Sequence, residues 1–388
     1  MRLEEVITKN DIHNFHKVTE VIYKNDPCWV AYLEDDIEKV FSHEHNKLYS
    51  EGGESIRWIL VDNQGALIGR VAAFVNPRTK NTTPLTTGGI GFFECINDKN
   101  AAFLLFDACL KWLTERGMQA MDGPINFGDR NQFWGCMTSN FENPPVYQMN
   151  YNPEYYQHFF EEYGFGTYFN QFVYWRSLRE PTQAIFHRKY NQIKDNPDFT
   201  IKNIKGMKLS QVAEDFRTVY NGAWGGHSHF KPMPEATAQK IMKSLKPIID
   251  RDIIIFVYHK AEPIAFYVNI PELNELFKYV NGKMNWWGKL KFLFFKATTK
   301  RKRMIGLVFG VVRAWQGKGI EAALVVHGEK EIVKKLKYED TVLTWIGDFN
   351  PKMLKVADNL GASLWRTYKT YRFQFDRTIP FERAPMVE

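Results

Sequence analysis

The feature that most constrains this chain is an internal repeat. An amphipathic helix ending near Tyr23-Lys-Asn-Asp-Pro27 follows Val6–Thr8, and another, Lys208–Asn221, follows Phe199–Ile204. Each is followed by two apolar strands joined by a polar turn. These are Ile56–Val61 and Leu67–Val75 across Asp62–Gly65, and Ile253–Tyr258 and Pro263–Ile270 across His259–Glu262. Further on, Asn152-Pro153 and Asn350-Pro351 each open a helix, which stops at Gly164 and Gly361 respectively. Proline just inside a helix and glycine just past it is the asymmetry that helix termini favour. The corresponding landmarks lie roughly 200 residues apart throughout, so a supersecondary unit is repeated.

Each half reads strand-helix-strand-strand, then strand-helix-strand, then a short helix and a closing strand pair. This predicts an α/β chain with mixed (α+β) sheets. The first domain is expected at 1–178, a linker helix segment at 179–197, the second domain at 198–376 and a loosely held tail at 377–388. The first half carries an insertion over Asn126–Met149 and the second carries one ahead of its fourth strand.

Hydrophobic residues make up 44% and charged residues 24%, which excludes disordered, collagenous and coiled-coil chains as the main state. The four cysteines form no C-x-x-C pair, so neither a disulfide framework nor a zinc site is expected. The charged N-terminus has no apolar core and no segment is long and apolar enough to span a bilayer. A cytoplasmic location is therefore expected, with peripheral attachment to the inner membrane as a further expectation.

The net charge of +7 is concentrated in one place. Lys283, Lys289, Lys291, Lys296, Lys300, Arg301, Lys302 and Arg303 lie in a stretch without an acid, and the rest of the chain is nearly neutral. A nucleic-acid partner is not expected, since such proteins carry a wider basic face. The same stretch holds Trp286, Trp287, Phe292, Phe294 and Phe295. Basic and aromatic residues together suit an anionic membrane surface over 283–303. On a helical wheel Trp286, Trp287, Leu290, Leu293, Phe294 and Ala297 share one face, which would equally serve a core helix.

The second half carries the chemistry. Ile305–Val312 is a nearly continuous apolar run, as in a strand buried on both faces. It leads through Arg313-Ala-Trp315 into Gln316-Gly-Lys-Gly-Ile320 and then an amphipathic helix. A strand entering a glycine turn that opens a helix presents uncovered N–H groups and a favourable dipole to an anion. The turn is neither a nucleotide triphosphate loop nor a dinucleotide fingerprint.

Gln316-Gly-Lys-Gly-Ile320 after this strand resembles the Q/R-x-x-G-x-G/A signature of the GNAT acyltransferase superfamily. Asn350 and the helix ending at Gly361 are similar to the same family's later elements. The resemblance covers both halves in strand order and implies two tandem GNAT-like domains. Gly123–Phe127, Tyr151–Tyr156 and Tyr220–Trp224 resemble, more narrowly, bacterial ceramide-synthase-like N-acyltransferases. The resemblance implies an acyl-CoA co-substrate, acetyl or long-chain, and an amine acceptor. It implies that Gln316, Gly317, Lys318, Gly319 and Ile320 bind the CoA pyrophosphate. It further implies that Val311 and Val312 pair with pantetheine, a Val312 amide polarises the thioester, and Asn350 fixes the arm. No metal is expected.

Three departures from the pattern stand out. Glu321 replaces a small residue. Ala357 and Phe160 stand where a tyrosine often protonates the leaving thiolate. The first half has Ile96-Asn-Asp-Lys-Asn100 in place of a glycine loop, so no CoA is expected there. The acceptor side is expected to involve Trp224, His227, His229, Asn126, Trp286 and Trp287, with Asp348 or His227 as the base. A long-chain lipid amine, a small soluble amine and binding of acyl-CoA without turnover are the alternatives left open.

Overall fold

The computed structural model describes residues 1–225, 231–335 and 337–386, with backbone alone over 332–335. The first half runs β1 (Arg2–Glu5), α1 (Lys9–Ile22), α2 (Glu34–Val40), β2 (Glu54–Val61), β3 (Leu67–Val75), β4 (Thr87–Cys95), α3 (Lys99–Thr114), β5 (Ala120–Gly123), β6 (Cys136–Met137), α4 (Tyr156–Tyr163) and β7 (Gly166–Ser177). A linking helix, α5 (Ala184–Ile193), follows. The second half runs β8 (Phe199–Asn203), α6 (Leu209–Trp224), α7 (Glu235–Leu245), β9 (Ile254–His259), β10 (Glu262–Pro271), α8 (Asn274–Phe277), α9 (Trp286–Thr298), β11 (Arg303–Val311), α10 (Ile320–Lys335), β12 (Asp340–Gly347), α11 (Pro351–Asn359) and β13 (Ser363–Gln374).

Local chemistry sets the helix starts. Thr8 and Asp11 form a reciprocal capping box on α1, and the Asp98 carboxylate accepts the Asn100 and Ala101 amides at the start of α3. Asn350 caps α11 ahead of Pro351. Gly164 closes α4 at φ +108°, which glycine alone adopts without strain.

All strands join one sheet, in the order β1-β2-β3-β4-β5-β13-β7-β12-β11-β10-β9-β8, with β6 beside β13. The two halves do not each close with their own strand pair, as the sequence suggests. Each closes with one long strand, and the strands are exchanged. β7 of the first half pairs with β12 of the second through Asp340↔Ser177 and Val342↔Trp175. β13 of the second pairs with β5 of the first through Tyr371↔Gly123 and Gln374↔Ala120. β7 and β13 pair with each other along their length.

Buried polar groups secure this junction. Arg372 of β13 makes a bidentate pair with Asp122 of β5, at 2.6 and 2.8 Å. Trp134 donates its indole N–H to Thr370 at 3.0 Å. Within the first half, buried Glu94 accepts the hydroxyls of Tyr23 and Tyr156 at 2.7 and 2.8 Å, which ties α1, β4 and α4 together.

The tail is largely exposed and touches the fold at a few points. Arg377 donates to the Gly164 carbonyl at 2.8 Å, Ala384 donates its N–H to Tyr168 at 2.9 Å, and Arg383 pairs with Asp348.

Candidate active site

The site is built where β11 and β12 part. They pair in parallel from Arg303–Gly306 against Asp340–Leu343, and no further. Beyond Gly306, β11 stays bonded to β10 through Val311, while β12 bends away toward β7. One edge of Leu307–Phe309 is thereby left open to a cavity of about 660 Å3. Its walls include Trp224, Tyr267, Ile346, Met353, Ala357 and Leu360. This volume is ligand-sized and the walls are mostly apolar.

The first half has the same divergence but fills it. β4 and β5 pair only over Thr87–Gly89 and Ala120–Asp122. The chain leaving β5 then turns back, and Ile125 donates its N–H to the Ile90 carbonyl at 2.8 Å. A Cβ on Gly91 would lie 1.9 Å from the Ile125 carbonyl oxygen, so the packing there is backbone on backbone. With Asp98 already occupying the α3 amides, this half presents neither an open strand edge nor a free helix start.

At the glycine turn, Gly317 and Gly319 take φ of +73° and +85°, which lets the chain reverse into α10. Gln316 donates its amide to the Val311 carbonyl at 3.0 Å. Lys318 lies over the Trp315 ring, 5.0 Å from its centroid. Ile320 is buried at the first position of α10. The Glu321 carboxylate folds back and accepts the Gly317 N–H at 3.3 Å. It therefore occupies one of the donors that an anion would use.

A second cavity of about 310 Å3 runs from this turn between α5, α10 and α11. It shares Phe309, Val325, Val356 and Leu360 with the first, so the two adjoin across those side chains, one at the turn and the other at the strand divergence. Lys189 of α5 lines it beside Gly317 and Glu321. Sequence reasoning treated this helix as a linker and missed Lys189. The only sequence signal was a basic residue on an amphipathic helix.

The expected residues separate into groups. Trp224 lines the large cavity, stacked on Tyr220 at 4.8 Å. Asn350 also lines it, with its side-chain oxygen accepting the Met353 N–H at 3.2 Å. Val311 packs inward against α10, and Val312 donates its N–H to the Ile264 carbonyl at 2.9 Å. The open backbone thus lies at Leu307–Phe309, upstream of both. Asp348 faces away from the cavity, accepting from Asn170 at 2.8 Å and pairing with Arg383. His227 and His229 lie outside the described residues. Trp286 and Trp287 are exposed on α9 and line none of these cavities.

Asn126 lines another cavity, of about 260 Å3, on the first half's side. It is 2% exposed and its side-chain oxygen has no partner, while its amide donates to Asp129 at 3.1 Å. Arg130 and Phe349 line both this cavity and the large one, so the two adjoin there. The Arg130 guanidinium lies 5.5 to 5.8 Å from the rings of Trp134, Phe169, Trp345 and Phe349.

Tyr267 was also missed. Its hydroxyl would lie 3.2 Å from a Cβ placed on Gly306, where the strands begin to part. Burial pushes its phenol up to about 12, so it stays a proton donor at neutral pH. Among the described residues no cluster of three or more His, Cys, Asp or Glu could hold a metal ion.

The overall fold is shared with known structures. The whole chain superposes on a tandem GNAT protein from the clavulanic acid biosynthesis pathway with a TM-score of 0.55 at 8% identity, covering 98% of this chain and all of that one. This is a tandem GNAT fold. A glucosamine N-acetyltransferase region of a fungal multi-domain β-N-acetylglucosaminidase aligns with a TM-score of 0.52 at 14% identity, covering 96% of this chain but only 38% of that longer one. In sequence the chain is 24% identical over 375 residues to Protein YghO of Escherichia coli, spanning 95% of this chain and 94% of that protein. It is 23% identical over 371 residues to a bacterial ceramide synthase of Caulobacter vibrioides, spanning 94% and 95%. No protein-family profile matches the chain. These likenesses span both halves of the tandem GNAT fold.

Proposed function

We propose that this protein is an acyl-CoA-dependent N-acyltransferase whose second half binds the thioester and whose acceptor is a long-chain amine. The observation that carries the reading is the open edge of Leu307–Phe309 in a cavity that adjoins the one at the glycine turn, the two making one lane if the side chains between them part. Amides at Gly317–Ile320, with Lys189 and Lys318, would hold the pyrophosphate. The open strand edge would pair with pantetheine and supply an N–H to the thioester oxygen. Such a preorganised donor is worth about 3 kcal/mol of barrier. Asn350 would steady the arm.

The chemistry is direct attack by a neutral amine on the thioester carbonyl. The C–N bond forms, the C–S bond breaks, and CoA leaves as thiolate or thiol. Ala357 offers no acid, so Tyr267 is the proton donor that the cavity supplies. His227 would be the base on the acceptor side, since Asp348 is held by Asn170 and Arg383 away from the cavity. Asn126 and Arg130 would receive the acceptor's polar end in the adjoining cavity.

The volume and apolar walls of the lane exceed what an acetyl group needs, and support a long acyl chain. The likeness to a bacterial ceramide synthase along both full lengths supports a lipid acceptor. A long-chain amine resides in a bilayer, so the site of action is a membrane surface on the cytoplasmic side.

A thermal-shift titration with CoA, acetyl-CoA and palmitoyl-CoA tests the binding half, because a ligand of the folded state raises stability by RT ln(1 + [L]/Kd). The expected result is a larger shift with palmitoyl-CoA than with acetyl-CoA, followed by acyl transfer to sphinganine. Equal shifts would favour a small soluble amine. Binding without turnover of any amine would leave an acyl-CoA-binding protein, and no shift at all would overturn the assignment.

A further inference from the structure

The helix α9 turns its apolar stripe outward. Phe292, off the stripe, is the residue that docks, at 7% exposed and stacked on Phe277. Phe295 stacks on Tyr279 at 3.8 Å, and Lys296 donates to the Pro247 carbonyl at 2.6 Å. Asn285 caps the helix through the Gly288 N–H, and a Cβ on Gly288 would lie 1.8 Å from the Lys283 carbonyl oxygen. The helix is therefore seated firmly by one face. The opposite face leaves Trp286 and Trp287 each 66% exposed, with Leu290 at 42%, Leu293 at 60% and Phe294 at 62%.

At about 100° per residue these five side chains and Ala297 span an arc of about 120°, centred opposite Phe292 and Phe295. Lys289 and Lys296 border the arc on one side and Lys291 on the other. Lys300 and Lys302 continue the basic surface beyond the helix end, and no acid occurs from Lys283 to Arg303. An apolar ridge with lysines on both flanks fits an anionic bilayer surface. Tryptophans sit at headgroup level, Leu293 and Phe294 reach the acyl boundary, and lysine stems lie along the ridge with their ammonium groups on phosphates. A second copy of this face would set lysines against lysines. No helix among the described residues is long and apolar enough to cross a membrane.

We infer that α9 is an interfacial helix that docks the protein on an anionic lipid bilayer by inserting Trp286, Trp287, Leu290, Leu293 and Phe294. This deepens the lipid-acceptor reading. Its test uses neither acyl-CoA nor acceptor, so either can fail without the other.

The experiment is sedimentation of the full chain with phosphatidylcholine vesicles, and with vesicles in which part of that lipid is replaced by phosphatidylglycerol. The wild type is expected to pellet with the anionic vesicles, less as salt is raised, and weakly with phosphatidylcholine alone. Trp286→Ser with Trp287→Ser and Phe294→Ser should weaken partitioning by about tenfold or more with Tm little changed, since those side chains are mostly exposed and meet the docked face only where Phe294 lies edge-on to Phe295. Lys289→Glu with Lys291→Glu should remove the preference for anionic vesicles. Wild type left in the supernatant of both vesicle types at low salt would overturn the inference. So would apolar variants that pellet as wild type does. A wild-type dimer dispersed by the tryptophan substitutions, without pelleting, would reassign the face to self-association.

Discussion

The Glu321 carboxylate accepts the Gly317 N–H at 3.3 Å, across the turn that opens α10. An acid in the first turn of a helix is favourable to the dipole and fills an orphan donor. The same position repels a pyrophosphate. If the turn holds the CoA pyrophosphate as proposed, Glu321 is an internal competitor for that anion, and an incoming phosphate would have to displace it.

Glu321→Ala should tighten CoA binding by about fivefold, the effect of removing ~1 kcal/mol of like-charge opposition. The same change should lower the stability of the free protein by about 0.5 kcal/mol, through loss of the helix-start acid. Calorimetric titration with CoA and thermal melts without it read the two effects in opposite directions. Weaker CoA binding in the variant would show that Glu321 assists the turn in its bound form.

Glu272 is 4% exposed, accepts the Asn274 and Tyr147 amides at 2.8 and 3.1 Å, and has its carboxyl pushed up to about 7 by burial. Its unfolded value is near 4.5, so between 4.5 and 7 the folded chain binds more protons than the unfolded one. The group's contribution is thus most favourable below 4.5 and is lost as pH rises through 7. Glu272→Gln should stabilise the protein at pH 8 by at most about 3 kcal/mol, with the gain shrinking as pH falls toward 4.5. Denaturant melts of both proteins across that window give the difference curve. A pH-independent difference would mean that the carboxyl titrates normally.

How much of this was legible in the sequence depends on the range of the forces involved. The Asn350-Pro351 helix start, the apolar strand at Ile305–Val312 and the glycine turn are set by neighbours in the chain, and the structure has them in place. The matching helix of the first half starts only at Tyr156, because the Asn152 side chain bonds the Met137 backbone and does not cap it. The exchange of β7 and β13 was not legible. Alternation tells which face of a strand is buried but not which strand lies beside it, and the Asp122–Arg372 pair that selects the partner joins residues far apart in the chain. Lys189 and Tyr267 enter the site through helix packing and strand divergence, neither of which leaves a local mark. On α9 the period was legible, but its direction was not. An apolar stripe normally faces the core, and only the docking of Phe292 and Phe295 reveals that this one faces out.

The exchanged strands make a prediction of their own. Arg372 and Asp122 are a buried bidentate pair, so removing one partner strands the other. Arg372→Ala should cost about 3–5 kcal/mol, whereas Arg372→Lys, which keeps the charge without the fork, should cost less. Because β13 completes the first half's sheet, both halves should lose protection together in hydrogen exchange. Protection lost in only one half would show that the halves are stable separately.

The assignment of proton transfer rests on Tyr267, the neutral phenol beside Gly306. Tyr267→Phe keeps the ring that lines the cavity and removes only the hydroxyl. The expected outcome is a fall in kcat of about 100-fold with acyl-CoA affinity unchanged. A leaving group that needs no proton, as in an activated aryl thioester, should recover much of the loss. Loss of acyl-CoA affinity instead would make Tyr267 a wall of the lane, with the proton coming from water or the acceptor.

The acceptor's polar end is assigned to the cavity where Asn126 leaves a buried oxygen without a partner and Arg130 stands among four aromatic rings. An unpartnered buried acceptor costs about 1–3 kcal/mol, which a ligand hydroxyl or ammonium would recover. Asn126→Ala removes that reward, and Arg130→Ala opens the partition between this cavity and the lane. Both should raise the KM for sphinganine, Asn126→Ala by about tenfold, while palmitoyl-CoA binding measured without acceptor stays the same. Equal effects on both ligands would place Asn126 in the frame of the fold, and an unchanged KM would move the acceptor to the Trp224 side of the large cavity.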